Sequence, residues 1–295
     1  MDKTNWASFD EVMTYKEMIT LYEKHYKLKI RVSGILAGNE SAMNFLRSFP
    51  EKFNQIGIPV YQARNELRMI DCSGWNIEGL CRVMLKRFHT PFCLQKLVYS
   101  YIRQPKCRKA YNNTEELRRR GFKAARELAT VEVWRHGLYQ YAFFVSEVGI
   151  GQRLDDLVMT LRKNGNEQRW VQLIKEYAGF VKRLHEHGVL YWDLNCGNVL
   201  CQQDERSGKW QFTLIDTNRV RFYSSDSVLP LNVVIGDLIL MNPRMGTVEL
   251  FIAEYLKQRG IYSENEVKRI REVQRNRYER KRPLKSFLKF LKHKK

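Results

Sequence analysis

The stretch from His187 to Asn218, HGVLYWDLNCGNVLCQQDERSGKWQFTLIDTN, constrains this chain more than any other feature. Residues 199–202 and 211–216 read as two short strands joined by the polar turn DERSGK. Paired as a hairpin, they bring Asn198, just before the first strand, beside Asp216, at the end of the second. One amide oxygen and one carboxylate then converge. These are hard oxygen ligands of the kind a magnesium ion takes while it keeps waters and substrate phosphates. Asp193 precedes Asn198 by five positions, in a loop that follows a helix, within reach of the same centre. A carboxylate there can accept a proton from an attacking hydroxyl.

The segments before this stretch divide into two kinds. IPVY at 58–61, ELRMIDC at 66–72, CRVMLKRF at 81–88 and LYQYAFFVSE at 138–147 read as strands. A charged helical stretch at about 96–120, ending at Gly121, lies between the third and fourth. Strands, a helix, then a strand predict a small antiparallel sheet with a helix against it. In the third strand Lys86 shares a face with Met84 and Phe88, an apolar setting unexpected for a solvated lysine. After Gly149 and Gly151 the pattern becomes helical. RLDDLVMTLRK and RWVQLIKEYAGFVKRLHEH carry apolar residues at three- and four-residue steps, with Gly188 as the cap of the second helix.

Composition closes off several classes. The 295 residues, 44% of them apolar, can fill a real core. No run of eighteen uncharged apolar residues occurs, and the acidic start does not read as a secretory leader, so a cytoplasmic protein is expected. Six cysteines without a CxxC pair suggest neither a zinc site nor a disulfide framework. The net charge of +19 is uneven, since residues 268–295 alone carry +11. With no recognised nucleic-acid module, that distribution points away from nucleic acid. Residues 8–27 place Phe9, Val12, Met13, Met18, Ile19 and Leu21 at near-helical spacings, which predicts a helical N-terminal extension. His185 and His187 read as helix-end residues, Asp155 and Asp156 as first-turn charges, and Asp237 as a cap or structural acid without chemistry.

DLNCGN followed by LIDTN resembles the catalytic loop and metal motif of protein-kinase-like folds. More narrowly, GVLYWDLNCGNVL and FTLIDTNRVRF resemble the lipopolysaccharide core kinase family (Kdo/WaaP, InaA-like), over roughly residues 44–222. The resemblance implies an α+β, two-lobed protein-kinase-like fold. Its parts are an extension at 1–43, a small antiparallel-sheet N-lobe with one main helix at 44–147, a mainly helical C-lobe at 148–266 and a basic tail at 267–295. It makes Asp193 the base, Asn198 and Asp216 the ligands of Mg2+, and Lys86 the lysine that holds ATP phosphates. Ala63, Arg64 and Asn65 fall in the loop that covers the phosphates, and Glu147 and Val148 in the connection that meets adenine. The implied acceptor is a sugar, Kdo or heptose, of the lipopolysaccharide inner core. A glycolipid acceptor adds a peripheral contact with the anionic inner membrane through the basic tail.

The pattern also departs from protein kinases. Tyr191-Trp192 stand for the His-Arg before the base, Thr217-Asn218 for the Phe-Gly after the metal Asp, and the phosphate loop has no glycine. The helix before Gly121 turns Ala110, Asn113, Thr114 and Leu117 inward, with Glu115 opposite and Glu116 at the flank, which leaves two readings: Asn113 substitutes for the usual glutamate partner of Lys86, or activity is reduced. Two alternatives follow: a protein kinase, and a weakly catalytic pseudokinase acting as a scaffold at the membrane. The complete Asp193, Asn198 and Asp216 set favours an enzyme.

Overall fold

The computed structural model describes residues 17–22, 26–225, 228–241 and 246–292, with side chains characterised at Thr20 and, within those ranges, from Tyr26 to Arg280. The chain forms two compact units, residues 1–149 and 150–295.

Unit 1 is a mixed α/β body. Its elements are β1 (Glu17–Tyr22), β2 (Lys27–Val32), α1 (Glu40–Lys52), β3 (Ile58–Gln62), β4 (Glu66–Asp71), β5 (Arg82–Arg87), α2 (Cys93–Tyr101), α3 (Lys106–Arg119), β6 (Glu127–Arg135) and β7 (Leu138–Glu147). The strands make one antiparallel sheet in the order β1-β2-β6-β7-β5-β4-β3. The two faces are set by alternation along each strand. Leu28, Ile30, Val83, Leu85, Val131, Phe143 and Val145 point to one side, where Ala42, Leu46 and Phe49 of α1 bury against them. Phe88, Trp134, Tyr139 and Ala142 point to the other, against Cys107 and Ala110 of α3.

The helical reading of residues 8–27 is corrected where the residues are described. Residues 17–22 and 27–32 are strands, and 8–16 lie outside the described residues. Lys-Leu-Lys-Ile-Arg-Val alternates strictly, with Leu28, Ile30 and Val32 buried, and that period of two sets the conformation. Strand β6 carries no alternation because it is central and buried on both faces from Glu127 to Trp134. The single helix expected at about 96–120 is two, broken at Pro105, which caps α3 and cannot continue α2. Beyond the one helix expected, α1 covers the opposite face of the sheet.

Unit 2 begins with β8 (Gln152–Arg153), α4 (Leu154–Lys163), α5 (Glu167–Glu186), β9 (Val189–Leu190), β10 (Val199–Gln203), β11 (Trp210–Leu214) and β12 (Arg221–Phe222), and ends with α6 (Leu231–Leu238), α7 (Val248–Gln258) and α8 (Glu264–Lys292). Tyr177 and Phe180 of α5 pack their rings on Phe212 of β11, and Tyr177 stacks on Phe251 of α7. Gly188 ends α5 at φ +65°, where a Cβ would stand 2.3 Å from the Ser224 carbonyl oxygen, so only glycine fits the turn into the next loop. The basic segment is not free of the unit at its start. Val267, Ile270 and Gln274 of α8 are buried, and the Gln274 amide donates to the Met241 carbonyl at 2.9 Å.

Candidate active site

Strands β10 and β11 pair antiparallel with Val199 opposite Leu214. One residue beyond that pair, the Ile215 N–H donates to the Asn198 carbonyl at 3.0 Å, which sets Asn198 beside Asp216. The hairpin read from the sequence therefore brings this pair together. The Asn198 side-chain amide donates to the Asp193 carbonyl at 2.9 Å, tying the metal-ligand candidate to the base candidate five residues before it. That bond uses the amide nitrogen and leaves the amide oxygen for a cation.

The loop from Asp193 to Asn198 is held by its own polar groups. Asn195 accepts the Gly197 N–H at 3.0 Å and directs its amide nitrogen to Asp193 Oδ1 at 3.3 Å. Arg219 Nη1 lies 3.5 Å from Asp193 Oδ2, whose side chain keeps 30% of its surface exposed. The carboxylate is thus positioned yet open to a solute. Asp216 has a left-handed backbone, φ +62°, which is uncommon outside glycine, and its Oδ1 accepts from the Asn218 amide. A hydrogen bond that turns one oxygen toward Asn218 fixes the rotamer of the other. An amide oxygen and a carboxylate oxygen at the end of one hairpin fit a magnesium ion that takes its remaining ligands from water and phosphate.

Beneath the loop is a support that sequence reasoning left without a role. Asp237 of α6, 2% exposed, accepts the Tyr191 N–H at 2.6 Å and the Trp192 N–H at 2.7 Å. Trp192 is itself left-handed, φ +61°, a costly conformation for a bulky residue that the second of these bonds retains. The Tyr191 hydroxyl donates to the Ile215 carbonyl, joining the base loop to the residue before Asp216, and burial pushes its pKa well up, so it stays a donor. His185 Nε2 is 3.5 Å from Asp237 and its Nδ1 meets the Tyr255 hydroxyl at 2.7 Å. Burial lowers the His185 pKa despite the opposing pull of Asp237. His185, in the last turn of α5 as read, is also part of this buried network. One signal was legible: Asp237 is the single charged residue between Leu229 and Asn242, and a buried acid requires partners.

The remaining predicted residues lie in unit 1. Lys86 is 9% exposed on the sheet face that α3 covers, with its Nζ 5.1 Å from the Phe88 ring centre. It stands between Leu67 of β4 and Phe144 of β7. The turn between β3 and β4 holds Ala63, Arg64 and Asn65: the Ala63 N–H donates to the Asn65 carbonyl at 3.2 Å, and Asn65 Oδ1 accepts from the His89 N–H at 3.1 Å. Glu147 ends β7, donates its N–H to the Arg126 carbonyl at 2.9 Å and pairs with the Arg126 side chain at 3.2 Å. Val148 follows it. On α3, Ala110, Thr114 and Leu117 are buried as read, Asn113 is half-buried, and Glu116 is engaged by Arg119 and Arg120.

The sequence model of the lipopolysaccharide kinase (Kdo/WaaP) family matches residues 81–225. Among solved structures, WaaP in complex with acyl carrier protein aligns over 82% of this chain and 95% of its own, with a TM-score of 0.52 and 16% identity. At that identity the likeness establishes the two-lobed kinase-like fold. No curated protein sequence matches the chain.

Proposed function

We propose, on the premise that residues 81–225 belong to the lipopolysaccharide kinase (Kdo/WaaP) family, that this protein phosphorylates a sugar hydroxyl of the lipopolysaccharide inner core, on Kdo or heptose. The family is one of phosphotransferases, and kinase chemistry implies ATP as donor. The observation that carries the reading is the hairpin register that sets Asn198 beside Asp216, with Asn198 bonded to the Asp193 carbonyl.

Each residue then has a role. The Asp193 carboxylate orients the acceptor hydroxyl and takes its proton as the oxygen attacks the γ-phosphorus; the bond to the β–γ bridging oxygen breaks and ADP departs. Asn198 and Asp216 are the residues that would hold Mg2+, which when bound offsets charge on the phosphates. Lys86 contacts the ATP phosphates, the Ala63-Arg64-Asn65 turn covers them, and Glu147 with Val148 offers backbone groups to adenine. Among the described residues no helix is long and apolar enough to cross a membrane, and a lipid-anchored acceptor would be met at the membrane surface. The basic run after Lys268 would supply attraction to anionic lipid, about 1 kcal/mol per charge near the surface.

The test is a set of acceptors. Purified protein with ATP and Mg2+ should add one phosphoryl group to a deacylated core saccharide and leave protein acceptors unlabelled. Labelling of protein alone would favour the protein-kinase alternative, and no transfer to any acceptor the scaffold alternative.

A further inference from the structure

Helix α2 has its amphipathic pattern reversed. None of its residues is buried. The face it lays on β7 is largely polar: Lys96 Nζ donates to Gln140 at 2.6 Å, Ser100 Oγ accepts the Tyr139 N–H at 2.9 Å, and Tyr99 packs on the Tyr139 ring. At 100° per residue Leu94, Leu97, Val98 and Tyr101 fall on the opposite side, where a globular helix would be polar. Leu94 and Tyr101 are each 74% exposed, and Phe92 and Ile102 extend the apolar ridge at its two ends.

The charge in the sequence that carries the ridge is of one sign. From Phe88 to Thr114 there are five basic residues, Lys96, Arg103, Lys106, Arg108 and Lys109, and no Asp or Glu. Arg103 and Lys109 are exposed, whereas Arg108 is spent on Glu132. Shape matters as well. The ridge is the outward side of one short helix, convex, and a convex apolar ridge edged with cations suits the headgroup boundary of an anionic bilayer, which deforms to receive it.

We propose that α2 is a membrane-docking helix, with Leu94, Leu97 and Tyr101, flanked by Phe92 and Ile102, entering the interface of an anionic bilayer while Arg103 and Lys109 face its headgroups. The proposal rests on the reading of the protein as a kinase of a lipid-anchored sugar, an acceptor presented at such a surface. It assigns the apolar part of the contact to unit 1, apart from the basic run of α8. Its salt dependence should differ accordingly, because screening removes attraction between exposed charges but not apolar insertion.

The experiment uses the full chain and sedimentation with vesicles of phosphatidylcholine, with or without phosphatidylglycerol, at low and high salt. The variant is Leu94→Gln/Leu97→Gln/Tyr101→Ser, three exposed positions whose replacement should leave the melting temperature and turnover on a soluble saccharide unchanged. The wild type should sediment with phosphatidylglycerol vesicles and keep part of that binding at high salt. The variant should bind about tenfold less and lose the salt-resistant part. The proposal is overturned if the wild type binds neither vesicle, if the variant binds as the wild type does, or if the variant loses only its binding to purified acyl carrier protein while vesicle binding is unchanged. If the vesicle difference holds but no saccharide is phosphorylated, the kinase reading fails and the docking helix stands.

Discussion

Asp237→Ala should cost far more than its distance from any reacting atom suggests. It would strand the Tyr191 and Trp192 N–H groups in a buried site and remove the carboxylate that faces His185. A loss of about 3–5 kcal/mol of stability is expected, read by denaturant titration, with turnover falling further because the Asp193 loop relaxes. Lys86→Ala should lower nucleotide affinity or turnover by about tenfold or more, while Lys182→Ala, in a half-buried i,i+4 helix pair with Glu186, should change little. Equal effects in a nucleotide-binding assay would remove Lys86 from the site. The proximity of Asp193, Asn198 and Asp216 was legible in the sequence because it is local, set by a loop and one hairpin. Asp237 lies more than forty positions from the loop it supports, and only the packing of α6 reveals the contact.

Legibility at the level of elements followed burial. Strands β3, β4, β5 and β7 and helices α4 and α5 were readable from local patterning, but β6 was not, because a strand covered on both faces has no polar phase. Its first residue carries a consequence for stability. Glu127 is 3% exposed, its Oε2 lacks a hydrogen-bond partner among the described residues, and Arg118 reaches its other oxygen at 3.4 Å. Burial outweighs that arginine and pushes the carboxyl pKa up to about 7 from 4.5. A raised acid favours the protonated native state, so its contribution is full below pH 4.5 and is lost as pH rises to about 7. Glu127→Gln does not titrate. Its stability relative to the wild type should therefore gain roughly 2–3 kcal/mol between pH 4.5 and 8. Parallel pH profiles from thermal melts of the two proteins would contradict the assignment.

The order of the two units, a sheet-rich one followed by a helical one, was readable from the change of pattern after Gly149, and the likeness to the WaaP structure extends it to most of the chain. Residues 17–22 and 27–32 were not legible as strands from the helical spacings of 8–27, because the strict alternation that marks β2 begins only at Lys27, where that stretch ends. The net charge of the whole molecule, +19, would favour an acceptor held at an anionic surface. That acceptor chemistry is the central claim, and it depends on one carboxylate. Wild type and Asp193→Asn should be compared with ATP, Mg2+ and a deacylated core saccharide, following the phosphorylated product by mass. We predict one added phosphoryl group for the wild type, and a rate lowered by at least about 10²-fold in a variant that still binds MgATP. Comparable turnover by Asp193→Asn, or a wild type that binds MgATP without phosphorylating the saccharide, would contradict it.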